Sequence, residues 1–62
     1  MTIAELQKRI HEILTIKPQT TAELQKTLAP WAIPYDVLYT LRALMRMERI
    51  VQRADGKWEV VC

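Results

Sequence analysis

Residues 37–61 read VLYTLRALMRMERIVQRADGKWEVV, and the spacing of the apolar side chains changes within this segment. In its first half they recur at steps of three and four, which predicts an amphipathic helix ending at about Glu48 or Arg49. The second half has two short runs, 50–53 and 57–61, rich in β-branched and aromatic residues, which predicts two strands. The predicted apolar face of the helix holds Val37, Leu38, Leu41, Leu44 and Met45.

Asp55 and Gly56 lie between the two predicted strands. An Asp-Gly pair is a strong signal for a two-residue hairpin turn, and Gly56 is the single glycine of the chain. With this pair at the centre of the turn, Arg53 faces Trp58 on the opposite strand. We therefore expect the Arg53 guanidinium to lie on the Trp58 ring, in a cation–π contact worth about 0.5–1 kcal/mol.

A first helix is predicted at the start of the chain. Thr2 and Glu5 have the spacing of a capping box. The helix is expected to end near Ile16, because Pro18 disfavours helical geometry in the residue before it. Its predicted apolar stripe consists of Ile3, Leu6, Ile10, Ile13 and Leu14.

A second, shorter helix is predicted after Thr20, which forms another capping-box pattern with Glu23. Its apolar members are Ala22, Leu24 and Leu28, and it should stop at Ala29-Pro30. The next four residues, Trp31-Ala32-Ile33-Pro34, are mostly apolar. We expect this connection to pack on the domain with Trp31 in or over the core, and Pro34 to open the third helix.

Composition restricts the class of protein. The chain has 62 residues, enough for one domain spanning 1–62 but not for a deep substrate cavity as well. With Cys62 as the single cysteine and His11 as the single histidine, neither an internal disulfide nor a structural zinc site is expected. No catalytic constellation stands out, so we expect neither an enzyme nor a cofactor. The sequence has no signal peptide or membrane span, which predicts a cytoplasmic protein.

The order of helix, short helix, tight connection, longer helix and hairpin resembles the winged helix-turn-helix superfamily. The most specific part is Val37 to Leu44 followed by Ile50-Val51, which is similar to the Val-x-x-x-Leu-x-x-Leu recognition helix and the first strand of the wing. The resemblance implies an α+β, mostly α fold of three helices with a C-terminal two-stranded β-hairpin wing. The chain departs from the superfamily at Glu48-Arg49, where members often carry a glycine.

The resemblance also implies a DNA-binding surface, with the third helix in the major groove and the wing on the backbone. The apolar face of the third helix leaves an outward strip, in which Asp36 either satisfies the helix start or accepts a hydrogen bond from a cytosine amine. Arg42, Arg53 and Lys57 are expected to contact phosphates. The candidate nucleic-acid-binding residues are Tyr35, Asp36, Tyr39, Thr40, Arg42, Ala43, Arg46, Arg53 and Lys57.

The sequence favours two functions, and RNA binding or occupation of another protein's nucleic-acid channel stays open as a third. The first is a small regulator of transcription or of a mobile element, for instance a repressor, that binds duplex DNA and needs a homodimer or tandem sites for tight binding. The second is an interaction module of a larger assembly, in which Tyr35, Asp36 and Tyr39 contact a protein partner. Neither function involves a membrane or a small-molecule substrate. The net charge of +2 favours neither strongly, although five of the nine Lys and Arg residues lie between Arg42 and Lys57.

Overall fold

The structure of the protein is a computed structural model that describes residues 1–61, so the terminal position of Cys62 lies outside the described residues. These residues form a small α+β fold that is mostly helical, and residues 1–61 contain three helices and an antiparallel sheet of three strands. The predicted helices and hairpin strands are confirmed. The elements are α1 (Ile3–Ile16), β1 (Gln19–Thr20), α2 (Thr21–Leu28), α3 (Pro34–Arg46), β2 (Ile50–Gln52) and β3 (Lys57–Val60).

The helix starts follow the capping patterns of the sequence. The Thr2 hydroxyl accepts a hydrogen bond of 3.2 Å from the backbone N–H of Glu5. Thr20 and Glu23 form the complete reciprocal box, with bonds of 3.2 Å and 2.9 Å. Pro34 occupies the first turn of α3, as expected.

One apolar core joins all three helices to the sheet. Each helix contributes one stripe, and Ile50 and Trp58 add the inner side of the hairpin. The chain leaves no side-chain nitrogen or oxygen buried without a partner within residues 1–61. The buried apolar residues are Leu6, Ile10, Leu14, Leu24, Leu28, Val37, Leu41, Leu44, Ile50 and Trp58.

The sheet has three strands, which corrects the expected two-stranded hairpin. The additional strand β1 is only two residues long and pairs with β3, giving the order β1-β3-β2. Strand β3 is therefore central, with Gln19 opposite Trp58 on one side and Gln52 opposite Trp58 on the other. The Trp58 ring is 4% exposed, and its Nε1–H donates to Thr21 Oγ1 over 2.9 Å.

The hairpin register differs by one residue from the expected one. The Arg53 N–H donates to the Lys57 carbonyl, and the Gly56 N–H donates to the Arg53 carbonyl, which leaves a loop of three residues, 54–56. Gly56 adopts a φ of 87°, the left-handed geometry of the glycine that closes such loops. Arg53 consequently faces Lys57, and the cation–π contact with Trp58 does not form. Its guanidinium instead lies 3.4 Å from the Asp55 carboxylate.

The connection between α2 and α3 is less buried than the sequence predicts. Trp31 and Ile33 are each 60% exposed, and only Ala32 packs against the core. The N–H groups of Trp31 and Ala32 both donate to the Leu28 carbonyl, so the chain turns tightly at the end of α2. This turn holds the Trp31 and Ile33 side chains at the surface, and the expectation of a core Trp31 is wrong.

Helix α3 ends at Arg46, before the expected Glu48 or Arg49, in a Schellman motif. The Glu48 N–H donates to the Met45 carbonyl over 2.9 Å, and the Arg49 N–H donates to the Leu44 carbonyl over 3.0 Å. Glu48 lies at the left-handed position of this motif, with a φ of 60°. A side chain at that position is disfavoured by about 1–2 kcal/mol.

Replacing Glu48 with glycine should therefore stabilise the domain by about 0.5–1.5 kcal/mol, because glycine relieves the strain but gains freedom in the unfolded chain. Thermal unfolding followed by circular dichroism should show a midpoint raised by about 4–8 °C per kcal/mol. Glu48→Ala is the matched control, since it removes the same charge but keeps the Cβ atom. Equal midpoints for the two variants would contradict the backbone explanation.

The capping box of α2 gives the stability a defined pH dependence. The hydrogen bond from the Thr20 backbone lowers the pKa of the Glu23 carboxyl below its ordinary value of 4.5, and the Thr20 hydroxyl, Lys57 and Lys17 act in the same direction. Because this pKa is lower in the folded chain, ionised Glu23 stabilises the fold above pH 4.5, and that contribution is lost as the pH falls through the folded value.

Glu23→Gln should consequently lower the thermal midpoint at neutral pH and have no such effect in acid, where the wild-type carboxyl is protonated. The amide oxygen of the variant can still accept the bond from Thr20, so the comparison isolates the charge. Midpoints measured from pH 7 downward should converge. A gap that stays constant over this range would contradict the assignment.

Candidate nucleic-acid interface

The outer side of α3 carries most of the predicted site residues on one surface. Tyr35, Tyr39, Arg42, Ala43 and Arg46 lie three or four residues apart, a spacing that places them on one side of the helix. Tyr35 is 69% exposed and Tyr39 is 54% exposed. Together these five residues line a groove of about 440 Å³, which we call the α3 groove.

Helix α1 completes the α3 groove through Gln7, and Met47 closes its end after α3. Neither residue was among the sequence-predicted site residues. Gln7 is one of several polar residues between the apolar positions of α1, and only the packing of α1 on α3 brings it beside Tyr39 and Arg46. No local pattern in the sequence distinguishes it from its neighbours.

Thr40 does not belong to this surface. Its side chain is fully buried, and its hydroxyl donates to the Asp36 carbonyl over 2.7 Å. The residue lies on the core side of α3 with Val37, Leu41 and Leu44, where its hydroxyl is satisfied by the preceding turn. Thr40 therefore cannot contact a nucleic acid in this conformation, and the prediction that it does is wrong.

Asp36 lies half-buried in the first turn of α3, beside the α3 groove but outside its lining. The N-cap residue is Ile33, and no side chain caps the helix start by a hydrogen bond. Asp36 therefore stabilises this end only through its charge and the helix dipole, not by satisfying an N–H group.

Arg53 and Lys57 flank the hairpin loop, as the sequence predicts, but they lie outside the α3 groove. Arg53 is paired with Asp55, and both side chains are nearly half exposed. Lys57 is half-buried opposite Thr20 and lies close enough to Glu23 to lower the pKa of that carboxyl. Both hairpin cations thus have an acidic neighbour.

The two arginines of α3 have a different electrostatic setting. Within residues 1–61 the single ion pair closer than 4.0 Å is that of Arg53 and Asp55, so Arg42 and Arg46 have no carboxylate partner. The lining of the α3 groove contains no acidic residue. A second groove shares Gln7 and Met47 with it and adds Lys8 and Arg49, next to Glu12 and His11. Lys8 and Arg49 thus add two cations beside the α3 groove, with the Glu12 carboxylate in the same lining.

Clusters of metal-ligating side chains and membrane-spanning helices are both absent from the described part of the chain. No group of three or more His, Cys, Asp or Glu residues in it could hold a metal ion. None of its helices combines the length and the apolar character needed to cross a membrane. Comparison of the chain with protein-family models, curated proteins and solved structures finds no match in any of the three.

Proposed function

We propose that this protein is a small winged helix-turn-helix domain that binds duplex DNA without chemical catalysis. The observation that carries the proposal is the α3 groove, where two exposed tyrosines and two arginines without carboxylate partners share the outer side of one helix. A surface of this composition offers hydrogen-bond donors and positive charge together, which is what a nucleic acid binds.

In the proposed complex α3 enters the major groove. That groove is about 12 Å wide and accepts a single α-helix. Arg46 and Tyr39 contact base edges, where an arginine is best suited to the O6 and N7 acceptors of guanine. Arg42 contacts a phosphate at the rim, and Tyr35 donates from the first turn of the helix.

The hairpin acts as the wing and contacts the sugar-phosphate backbone through Arg53 and Lys57. For Arg53 this requires a phosphate to compete with Asp55, an exposed ion pair of the kind that contributes about 0–1 kcal/mol. The wing therefore adds less to affinity than α3 does. Occupying a DNA site is the way in which small repressors of this superfamily act, and we extend the proposal to a regulator of transcription or of a mobile element.

The test is binding of the chain to a mixed-sequence duplex over a series of salt concentrations. Contacts to about four to six phosphates give a slope of log affinity against log salt of roughly −3 to −5. Backbone NMR shifts should change along α3 and the hairpin, between Tyr35 and Lys57. Absence of binding at low salt, or shifts confined to other elements, would overturn the proposal.

A protein partner is the second candidate, and the exposed Tyr35, Tyr39 and Met47 of the α3 groove favour it. Tyrosine, methionine and arginine are enriched at protein interfaces. Binding of that kind depends on apolar burial and varies little with salt. The salt series therefore separates the two candidates.

A further inference from the structure

A third groove lies on another side of the molecule, between α1 and the end of α2, and its lining is mostly apolar. We call it the Trp31 groove. It measures about 300 Å³, and its apolar lining consists of Met1, Ile13, Ile16, Leu28 and Trp31. Three of these are well exposed, with Ile16 at 86%, Trp31 at 60% and Met1 at 48%.

The exposure of these residues is unfavourable in an isolated chain. Burying a large apolar side chain contributes about 1.5–3 kcal/mol relative to leaving it in water. A partner that covers the exposed residues around Trp31 would therefore gain binding free energy from them. A contiguous apolar patch with polar residues at its rim is typical of an interaction site, whereas single exposed apolar residues are not.

The rim of the Trp31 groove carries one charge of each sign. Arg9 and Glu12 both line it, three residues apart on α1. Within residues 1–61 neither has an opposite charge closer than 4.0 Å. In a contact with two-fold symmetry, residue i of one copy meets residue j of the other and the reverse also holds. Two α1 helices that pack antiparallel would therefore bring each Arg9 to a Glu12 of the other copy.

We propose that the Trp31 groove is the interface of a homodimer, in which each copy places Trp31 against the apolar lining of the other and the two Arg9–Glu12 pairs close the rim. The occupant is a second copy of this chain because one cation and one anion on the same helix turn are complementary to themselves. The α3 groove shares no residue with this surface, so the dimer leaves it open. This inference does not depend on the proposed DNA binding.

The size of the interface sets the expected affinity of the dimer. The whole accessible surface of the chain is 4384 Å², and a standard interface takes about 800 Å² from each partner. The Trp31 groove has eight lining residues, fewer than the roughly 20–30 that a standard interface takes from each partner, so we expect a dissociation constant on the order of 10–100 µM.

Sedimentation equilibrium of the purified chain, at concentrations from roughly 1 µM to 500 µM, tests the proposal against that range. The wild type should shift from monomer to dimer. Trp31→Ala should weaken the dimer at least about 30-fold, as loss of a central aromatic contact does. Tyr35→Ala is the matched control, because it removes an equally exposed aromatic residue outside the groove and should leave the dimer unchanged. A wild type that stays monomeric at the highest concentration would overturn the proposal and leave the groove to another partner.

Charge reversal distinguishes a symmetric contact from non-specific apolar association. Arg9→Glu alone and Glu12→Arg alone each place like charges together in a homodimer and should weaken it roughly tenfold. An equimolar mixture of these two variants restores both opposite-charge pairs in a heterodimer, which should form with nearly the wild-type affinity. Circular dichroism confirms that each variant is folded. If the mixture associates no better than either variant alone, the proposed pairing is wrong.

Discussion

Replacing Trp58 with alanine is expected to remove a large fraction of the free energy of unfolding and to lower the urea midpoint strongly. Within residues 1–61 Trp58 is the one aromatic side chain in the core, and it lies on the central strand β3 between β1 and β2. Removal of a buried tryptophan or phenylalanine costs about 3–5 kcal/mol. A domain of 62 residues has an unfolding free energy of roughly 3–9 kcal/mol, at about 0.05–0.15 kcal/mol per residue. The loss is therefore comparable to the whole stability.

The hydrogen bond of the indole adds a second contribution that a milder variant isolates. The Trp58 Nε1–H donates to Thr21 Oγ1, which connects the sheet to the first residue of α2. Trp58→Phe keeps most of the apolar contact but leaves the Thr21 hydroxyl without this donor. We expect it to cost less than the alanine variant, with about 1 kcal/mol of its effect coming from the lost bond.

Urea unfolding followed by circular dichroism, at a protein concentration low enough to keep the chain monomeric, measures both effects. Trp31→Ala is the matched control, because it makes the same chemical change at a tryptophan that is 60% exposed, and it should shift the midpoint little. If Trp58→Ala kept the wild-type midpoint, or if the two alanine variants behaved alike, Trp58 would not be the core residue described above.

The second large effect concerns the proposed DNA binding. Changing Arg42 and Arg46 together to glutamine should lower affinity for duplex DNA by roughly 10- to 100-fold at moderate salt and make the salt slope shallower by about 1 to 2. Both side chains are exposed in the α3 groove and have no carboxylate partner within residues 1–61, so their charge is available to a ligand. Glutamine keeps the helix propensity close to that of arginine.

A charge-matched control distinguishes a specific surface from a general effect of net charge. Lys17→Gln with Lys26→Gln removes the same two charges from exposed positions outside the α3 groove. We expect this control to retain most of the affinity and the wild-type salt slope. Equal losses of affinity in the two double variants would show that binding depends on the net charge of the chain and not on the α3 groove. An unchanged affinity of the Arg42 and Arg46 variant would reject the α3 groove as the DNA-binding surface.

The local sequence patterns identify the starts of α1 and α2 and their ends correctly, because the interactions that form them are close in sequence. The capping pairs at Thr2 and Thr20 act over three residues, and the ends of α1 and α2 follow from the prolines after them. The spacing of apolar residues likewise predicts the core side of each helix for most positions. Thr40 is buried although a polar residue gives no apolar signal, because its hydroxyl is satisfied within its own helix. Ile3 and Met45 belong to the predicted apolar faces but are 48% and 42% exposed.

The tertiary structure decides the features that depend on distant partners. Strand β1 exists only because the two residues after Pro18 pair with β3, almost forty positions further along the chain. The hairpin closes through a three-residue loop with Gly56 at its left-handed position, so Gln52 and not Arg53 faces Trp58. The two grooves are also products of packing, of α1 on α3 and of α1 beside α2. Caps and helical periods are fixed by interactions over three or four residues, whereas strand pairing and open surfaces depend on which distant elements meet, and no local pattern contains that information.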